Sequence, residues 1–495
     1  MPPSPGLRHS TAMSASALSP IPPGPPVDPQ DRRILLWIVA VGFFMQTLDA
    51  TIVNTALPAM AASLGESPLR MQSVIVAYSL TMAMLIPASG WLADRFGTRK
   101  VFLFAIAVFS LGSLACALSR HVNELVAARV LQGLGGALLL PVGRLAVLRT
   151  FPRGEFLEAM SFVAIPGLIG PLLGPTLGGW LVQSASWHWV FLINLPVGLI
   201  GLVATARYMP NLRAPHVDGF DLAGYVLLAF GMVSISLAIE AAGWLGRGGA
   251  AALGVGGLVA LVVYWLHAGR HAQPLYSPQL FRVRTLSVGL LGNLFCRLGS
   301  GAMPFLIPVS LQVLLQYPPL YAGLMMLPAA LAGMGMKRLA TPLIRRHGYR
   351  TVLVANTIAL GLLMASFALR QPDWPLALQV VQLAAFGAVN SLQFTAMNTI
   401  TLKDLDGASA SSGNGLLSMV QMLAMSLGVA VAGAVLSEWS QAYGGAQVPG
   451  AVAHAFQSTF LTVGFITVVS AAVFWQLPQE ARTPPREGPE VSGQG

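Results

Sequence analysis

Apolar residues along this chain are grouped into long uninterrupted runs, separated by short polar segments. Each run holds about 18 or more residues, and a helix of that length crosses the roughly 30 Å hydrocarbon core of a bilayer. More than ten such runs in series exceed what one soluble core could bury. The pattern predicts an all-α polytopic membrane protein with fourteen transmembrane helices, near residues 34–57, 72–93, 101–119, 124–147, 158–183, 189–209, 221–241, 250–268, 285–308, 320–343, 350–369, 375–401, 409–436 and 454–476.

Composition agrees with this prediction and sets the two ends of the chain apart. The 495 residues are 55% hydrophobic and only 9% charged, whereas a soluble domain is about one quarter charged. The N-terminal segment is rich in Pro and Ser and has no apolar core, so it is not expected to be a signal peptide. We expect disordered cytoplasmic tails at residues 1–31 and 479–495.

The positive charges are distributed unevenly between the two faces of the predicted membrane protein. The net charge is +10, and with fourteen spans 22 of the 28 Lys and Arg residues fall on the face that carries both termini. The opposite face receives four, namely Arg70, Arg120, Arg247 and Arg370. This asymmetry follows the positive-inside rule and predicts that both termini are cytoplasmic. The basicity therefore indicates membrane orientation and not nucleic-acid binding.

A short internal repeat indicates how the spans are grouped. ADRFGTR at 93–99 follows span 2 and IRRHGYR at 344–350 follows span 10, and they share Arg-x-Gly-x-Arg. Repeated bundles with a site at their interface are typical of secondary transporters. The predicted organisation is an N-terminal six-helix bundle at 32–212, two inserted transmembrane helices at 213–270, and a C-terminal six-helix bundle at 271–478.

Two charged residues in the N-terminal bundle are predicted to meet inside the membrane. Asp49 lies about fifteen residues into span 1, and Arg129 lies about five residues into span 4, which runs in the opposite direction. The two residues therefore have similar depth, where an ionisable group costs roughly 2.5–3.5 kcal/mol to insert. We expect a proton-coupling pair in which protonation of Asp49 breaks the contact with Arg129; a permanent structural ion pair is the alternative.

A second group of polar residues is expected to face a cavity between the bundles, because polar side chains within spans usually point into the protein. Arg297 lies near the middle of span 9, at the level of Asp49 after the repeats are aligned. It is expected either to bind an anionic substrate or to serve as a hydrogen-bonding anchor. The predicted cavity residues are Gln46, Asn54, Arg297, Asn390 and Asn398.

Five segments carry a family resemblance: LDATIVNTALP in span 1, GWLADRFGTRK after span 2, ARVLQGLGGA in span 4, GPLLGPTLGG in span 5, and WHWVFLINLPVG before span 6. The chain resembles the major facilitator superfamily, and within it the fourteen-helix drug:proton antiporters, although His188 stands where Arg is usual. The matching positions are Gly90, Asp94, Arg95, Gly97, Arg99 and Lys100 after span 2, Arg129, Gln132, Gly133 and Gly135 in span 4, and Gly170, Gly174, Pro175, Gly178 and Gly179 in span 5.

The resemblance implies the major facilitator fold and a secondary active exporter that works by drug:proton antiport with alternating access. It implies that Gly90 to Lys100 form a cytoplasmic latch between the bundles. In that latch Asp94 would face the N-terminus of span 13, whose partial positive charge favours a carboxylate. In the second copy Arg345 stands in place of Asp94. The glycines of span 5 would form a tight, bent seam that limits leak.

Other functions and other substrates are weighed against this one. The leading alternative is a proton-coupled exporter of an organic anion, such as a carboxylic acid or siderophore, which Arg297 favours. A membrane sensor would need a soluble output domain, and the scattered histidines and buried-type cysteines suggest neither an enzyme nor a metal site. The expected partners are a small-molecule substrate, protons and the bilayer of the bacterial inner membrane, with no cofactor; a periplasmic adaptor is neither indicated nor excluded.

Overall fold

The computed structural model describes residues 29–478 except 153, 216, 218, 241–244, 372, 406, 446, 447 and 449. The tails predicted to be disordered lie outside the described residues, apart from the last few residues of the first tail, which begin the first helix. The described residues of the predicted spans are mostly helical.

Within the described part of the chain, seventeen α-helices make up fourteen segments that are long and apolar enough to span a membrane, as the sequence predicts. Three spans each consist of two helices separated by a break: α6 with α7, α10 with α11, and α12 with α13. The helices are α1 Pro29–Leu64, α2 Gln72–Phe96, α3 Thr98–Leu118, α4 Val122–Thr150, α5 Phe156–Ser184, α6 Trp189–Leu192, α7 Asn194–Tyr208, α8 Leu222–Glu240, α9 Gly246–Ala268, α10 Arg284–Ser300, α11 Met303–Val313, α12 Pro319–Leu324, α13 Leu327–His347, α14 Tyr349–Ser366, α15 Leu376–Leu402, α16 Gly407–Ala442 and α17 Ala451–Phe474.

The N-terminal bundle comprises α1–α7, and small residues set its closest helix contacts. Helices α3 and α4 cross where the backbone of Gln132 packs on Gly112 and the backbone of Phe109 packs on Gly135, with no room for a side chain at either glycine. In a membrane, such close approach lets backbones gain van der Waals contact that lipid would otherwise supply. Phe102 and Phe109 fill the core beside this crossing.

The C-terminal bundle comprises α10–α17 and uses the same kind of contact. Gly387 of α15 packs directly on the backbone of Ala329 in α13, and Gly361 of α14 packs against the backbone of Gly464 in α17. Helix α10 lies in the middle of this bundle, where it contacts α15, α16 and α17.

The inserted pair α8 and α9 lies at the edge of the two bundles. The helices pack on each other through Gly231 and Gly257, and α8 also contacts α2 and α16. Many apolar side chains on α9 are exposed, including Val255, Leu258 and Val262, as expected for a helix that faces lipid.

The two bundles touch on one side of the membrane and separate on the other. We call the side that carries Arg95, Lys100, Arg345 and Arg346 the basic side. On the side opposite to it, Gln312 donates a hydrogen bond to the carbonyl of Thr55 at 2.9 Å and Thr176 donates one to the carbonyl of Gly323 at 3.3 Å.

One face of α5 shows the difference between the two sides directly. Ser161, Ile165 and Leu168 are exposed near the basic side, while Pro175 and Gly179, on the same face, are buried further along the helix. The space between the bundles is therefore closed on the opposite side and open towards the basic side.

Candidate functional site

Asp49 of α1 and Arg129 of α4 form an ion pair inside the N-terminal bundle. The Nη1 atom of Arg129 lies 2.6 Å from Oδ2 of Asp49, and the two side chains are only 1% and 0% exposed. A pair this close and this well shielded interacts far more strongly than one in water. The structure therefore brings together the two residues that were predicted to meet.

The carboxylate of Asp49 has further partners from two other helices. Gln132 of α4 and Asn194 of α7 both donate hydrogen bonds to Oδ1, at 2.8 Å and 3.1 Å. Both amides also donate to the hydroxyl of Ser113 on α3. The network thus links α1, α3, α4 and α7 around one charge.

The guanidinium of Arg129 is equally well satisfied. Its Nε donates to the carbonyl of Val74 at 3.2 Å, and Nη1 donates to Oε1 of Gln132 at 2.5 Å. The guanidinium carbon lies 4.1 Å from the ring centroid of Tyr78, a distance at which the ring face attracts a cation. Removing either charge of such a buried pair leaves the other uncompensated, at a cost of about 3–5 kcal/mol.

Sequence reasoning identified the charged pair and named Gln132 as a motif residue, but it missed the other neutral partners. Asn194 follows the break between α6 and α7, and Ser113 and Tyr78 are single polar residues in apolar spans. The signal that could have identified Asn194 is its place in WHWVFLINLPVG, one of the segments that resemble the transporter family.

A cavity of about 370 Å³ lies between the bundles. Its walls are mainly apolar, with side chains such as Met303, Ile307, Met326 and Phe386. Polar lining residues are few: Thr51, Asn54, Lys337, Asn390 and Ser391. Apolar walls with a small number of convergent polar groups are typical of small-molecule sites.

The predicted cavity residues divide into three groups. Asn54 and Asn390 line the cavity. Arg297 lies behind the lining, with its guanidinium carbon 4.6 Å from the ring centroid of Phe394, which does line it. Gln46 and Asn398 are not among the lining residues; Gln46 is buried, and Asn398 accepts a 2.6 Å hydrogen bond from Gln421.

Arg297 is incompletely satisfied within the part of the chain that the structure describes. Its Nε donates to Oδ1 of Asn293 at 3.3 Å, while its Nη2 atom is buried without a hydrogen-bond partner. Lys337 lines the cavity, and the lining residues that the structure describes include no Asp or Glu. The electrostatic field in the cavity therefore favours negative charge.

The loop motif between α2 and α3 is ordered by contacts within its own bundle. Asp94 forms an ion pair with Arg149 of α4, so its described contact is not with the start of α16, which contains span 13. Gly97 has a φ of +94°, which favours glycine, and contacts Asn211. Arg95 and Lys100 are exposed, Arg99 is half-buried, and the position of Gly90 is open.

The glycine motif of α5 faces two different partners. Gly170, Gly174 and Gly178 pack against α1, where any added side chain would collide with Thr47, Thr51 or Ile52. Gly179 packs instead on the backbone of Pro319 in α12, and Gly323 of α12 packs on the backbone of Pro175. The motif therefore joins α5 to α1 within one bundle and to α12 across the interface.

Sequence comparison gives a consistent result over most of the chain. The profile of the Major Facilitator Superfamily matches residues 39–429. The "Putative multidrug resistance protein MdtD" of Serratia proteamaculans (strain 568) is 51% identical over 451 residues, covering 90% of this chain and 94% of the relative. The protein of the same name from Cronobacter sakazakii (strain ATCC BAA-894) is 52% identical over 458 residues, covering 91% and 96%.

Solved structures resemble the fold at low sequence identity. The nucleoside transporter NupG matches with a TM-score of 0.63 at 15% identity, covering 89% of this chain and 98% of that chain. A POT family transporter in complex with 5-aminolevulinic acid matches with a TM-score of 0.64 at 13% identity, covering 90% and 95%. These likenesses establish the arrangement of the helices and nothing about the substrate.

Proposed function

The chain belongs to the major facilitator superfamily of transporters, and on that premise we propose that it exports small molecules by drug:proton antiport with alternating access. The bacterial relatives at about half identity carry a name that refers to multidrug resistance. The observation that carries the proposal is the buried ion pair of Asp49 and Arg129. Family membership also identifies the chain as a transporter and not an enzyme.

We place the protein in a bacterial inner membrane with both termini in the cytoplasm. The support is the concentration of Lys and Arg on one side, which orients polytopic proteins during insertion. The relatives are bacterial. In this orientation the basic side is cytoplasmic, and the cavity is open to the compartment from which an exporter collects its substrate.

Protonation of Asp49 is the proposed coupling step. A proton neutralises the carboxylate and leaves the guanidinium of Arg129 buried without its counter-charge, which destabilises this conformation. Helix α1 also carries Thr51 and Asn54, which line the cavity and lie two and five residues after Asp49. A shift of α1 therefore changes the proton site and the cavity together, as a two-state mechanism requires.

The membrane potential supplies enough free energy for proton-coupled export. One elementary charge that crosses ~100 mV supplies about 2.3 kcal/mol. This free energy supports a substrate gradient of about 50-fold for each proton.

Proton flux into liposomes tests the proposal. Purified protein is reconstituted with an internal pH dye, a proton gradient is imposed, and cationic drugs are added in turn. We expect proton movement when a transported drug is added, and its loss in Asp49→Asn. Glu66→Gln, which changes a carboxylate outside the pair, is the matched control and should transport normally.

The alternative is proton-coupled export of an organic anion, and the cavity provides a specific observation in its favour. Lys337 lines the cavity and Arg297 lies behind Phe394, so the fixed charges there attract carboxylates. The same liposomes decide between the two classes. Proton movement with organic acids alone, reduced by Arg297→Gln, would favour this alternative; movement with cationic drugs that Arg297→Gln leaves unchanged would reject it.

A further inference from the structure

Three side chains with metal-binding groups meet at the basic-side end of the inserted helices, far along the sequence from Asp49. Asp221 immediately precedes α8. His267 lies in the last turn of α9, and His271 lies four residues later, beyond its end. Because α8 and α9 pack as a pair, the start of one and the end of the other are neighbours. The sequence predicted no metal site, because only the fold brings Asp221 to the two histidines.

The geometry of this cluster suits a single small cation. One nitrogen from each imidazole and one carboxylate oxygen all lie within 4.8 Å of one another. The closest two, Nε2 of His267 and Oδ1 of Asp221, are 2.8 Å apart, and the two imidazole centroids are 5.1 Å apart. A zinc ion binds such ligands at about 2.0–2.2 Å. Ligand atoms held tetrahedrally at that bond length are about 3.4 Å apart, so the exposed His271 must move closer and His267 and Asp221 must move slightly apart to surround one ion.

Two of the three ligands are held in place and the third is accessible. The backbone N–H groups of Gly224 and Leu275 donate hydrogen bonds to Asp221, at 2.8 Å and 3.3 Å. These contacts fix the carboxylate as supporting hydrogen bonds do at metal sites. Asp221 is buried, His267 is partly buried and His271 is exposed, so an ion reaches the cluster from the aqueous side.

We propose that Asp221, His267 and His271 form a binding site for a divalent transition-metal ion such as Zn²⁺, with water completing the coordination. Two imidazoles and one carboxylate favour zinc, nickel or copper over magnesium or calcium, which prefer oxygen ligands. Arg270 lies between the two histidines in sequence, and its charge opposes a cation, so binding depends on the carboxylate of Asp221. The bound ion clamps α8 to α9 and to the segment that follows α9.

The test uses full-length protein in detergent without a polyhistidine tag, stripped with chelator. Zn²⁺ binding is measured by titration calorimetry and by the rise in unfolding temperature, because a ligand that binds only the folded state stabilises it. We expect binding by the wild type at one site, and no comparable effect from Mg²⁺. His271→Ala should weaken Zn²⁺ affinity by about ten-fold or more.

His271→Ala is chosen because it leaves the hydrogen bond between Asp221 and His267 intact and removes only an exposed 3.3 Å hydrogen bond from the backbone N–H of Gln273, so metal-free stability should change little. His347→Ala is the matched control, since His347 is an exposed histidine on the basic side that bonds only to its own helix among the described contacts. The proposal is overturned if the wild type does not bind Zn²⁺, or if His271→Ala binds it as tightly as His347→Ala does.

Discussion

At the scale of single residues, Asp49 combines full burial with full hydrogen bonding. Its carboxylate receives hydrogen bonds from Arg129, Gln132 and Asn194, which come from two other helices. Replacing a buried ion pair by apolar residues is often neutral for stability, whereas removing one partner alone is strongly destabilising. The pair is therefore better suited to controlling a change between two conformations than to increasing the stability of one of them.

A double-mutant cycle on this pair should show strong coupling. Asp49→Asn leaves Arg129 charged and buried, and Arg129 cannot release its proton, so this variant should lose about 3–5 kcal/mol. Arg129→Gln should cost less, since Asp49 can take up a proton. The double variant should be more stable than the sum of the two losses predicts. Thermal unfolding in detergent at constant pH measures all three.

The exposed pair of Glu66 and Arg70 provides the comparison for that cycle. Exposed pairs contribute about 0–1 kcal/mol, so removing either partner should have little effect. Additive losses at Asp49 and Arg129 would contradict the structural account of the pair.

The contacts of Asp49 and Arg129 show which parts of the site could be predicted from the sequence and which could not. Depth within oppositely directed spans was enough to predict that Asp49 and Arg129 meet. The roles of Ser113 and Asn194 depend on how α3 and α7 rotate about their axes. In nearly uniform apolar spans no hydrophobic stripe specifies that rotation. For the same reason Asn54 and Asn390 could not be separated from Gln46 and Asn398 as cavity-lining residues.

At the scale of helices, α5 connects the two bundles through its glycines. The i, i+4, i+8 spacing of Gly170, Gly174 and Gly178 places all three on one face of the helix, and that face packs on α1. Gly179, one residue further on, points across the interface to α12. The spacing of the glycines shows which of them share a face of α5, but not which helix packs on that face. Lipid and protein are equally apolar surroundings for such a helix.

Gly179→Ala should prevent α5 from packing closely on α12 across the interface between the bundles. A methyl group there would collide with the backbone of Pro319, which cannot move aside as a flexible side chain can. We expect liposomes with this variant to lose an imposed proton gradient faster than wild type, and export to fall. Gly335→Ala on α13 adds a methyl group to open space and is the matched control. Equal leak and export in the two variants would rule out a sealing role for Gly179.

Helix ends and helix breaks were the least predictable features at this scale. Helix α1 extends from Pro29 to Leu64, well beyond the predicted span at 34–57. The extension past Leu57 packs inside the protein, where Met60 and Ala61 are fully buried, and the hydropathy of a span does not specify such tertiary contacts. The break between α10 and α11 falls at Gly301 and Ala302, where Gly301 packs tightly on the backbone of Met425.

At the scale of the whole molecule, the protein has its cavity open towards the basic side. In this conformation the seam between α5 and α12 is closed, and Asp94 is paired with Arg149 within its own bundle. The count of spans and their order were predictable because length and hydropathy determine both. The side on which the cavity is open was not predictable, because one sequence encodes every conformation of the transport cycle.

One measurement tests the central claim, that protonation of Asp49 shifts the balance between the two conformations. Spin labels at Gly154→Cys and Arg346→Cys would report the distance between the bundles on the basic side, since both positions are exposed and both native cysteines are buried. In lipid nanodiscs, acidification should shift the wild-type distances towards shorter values. Asp49→Asn should give the shorter distances at every pH. Distances that still respond to pH in Asp49→Asn, or that never respond in the wild type, would contradict the account.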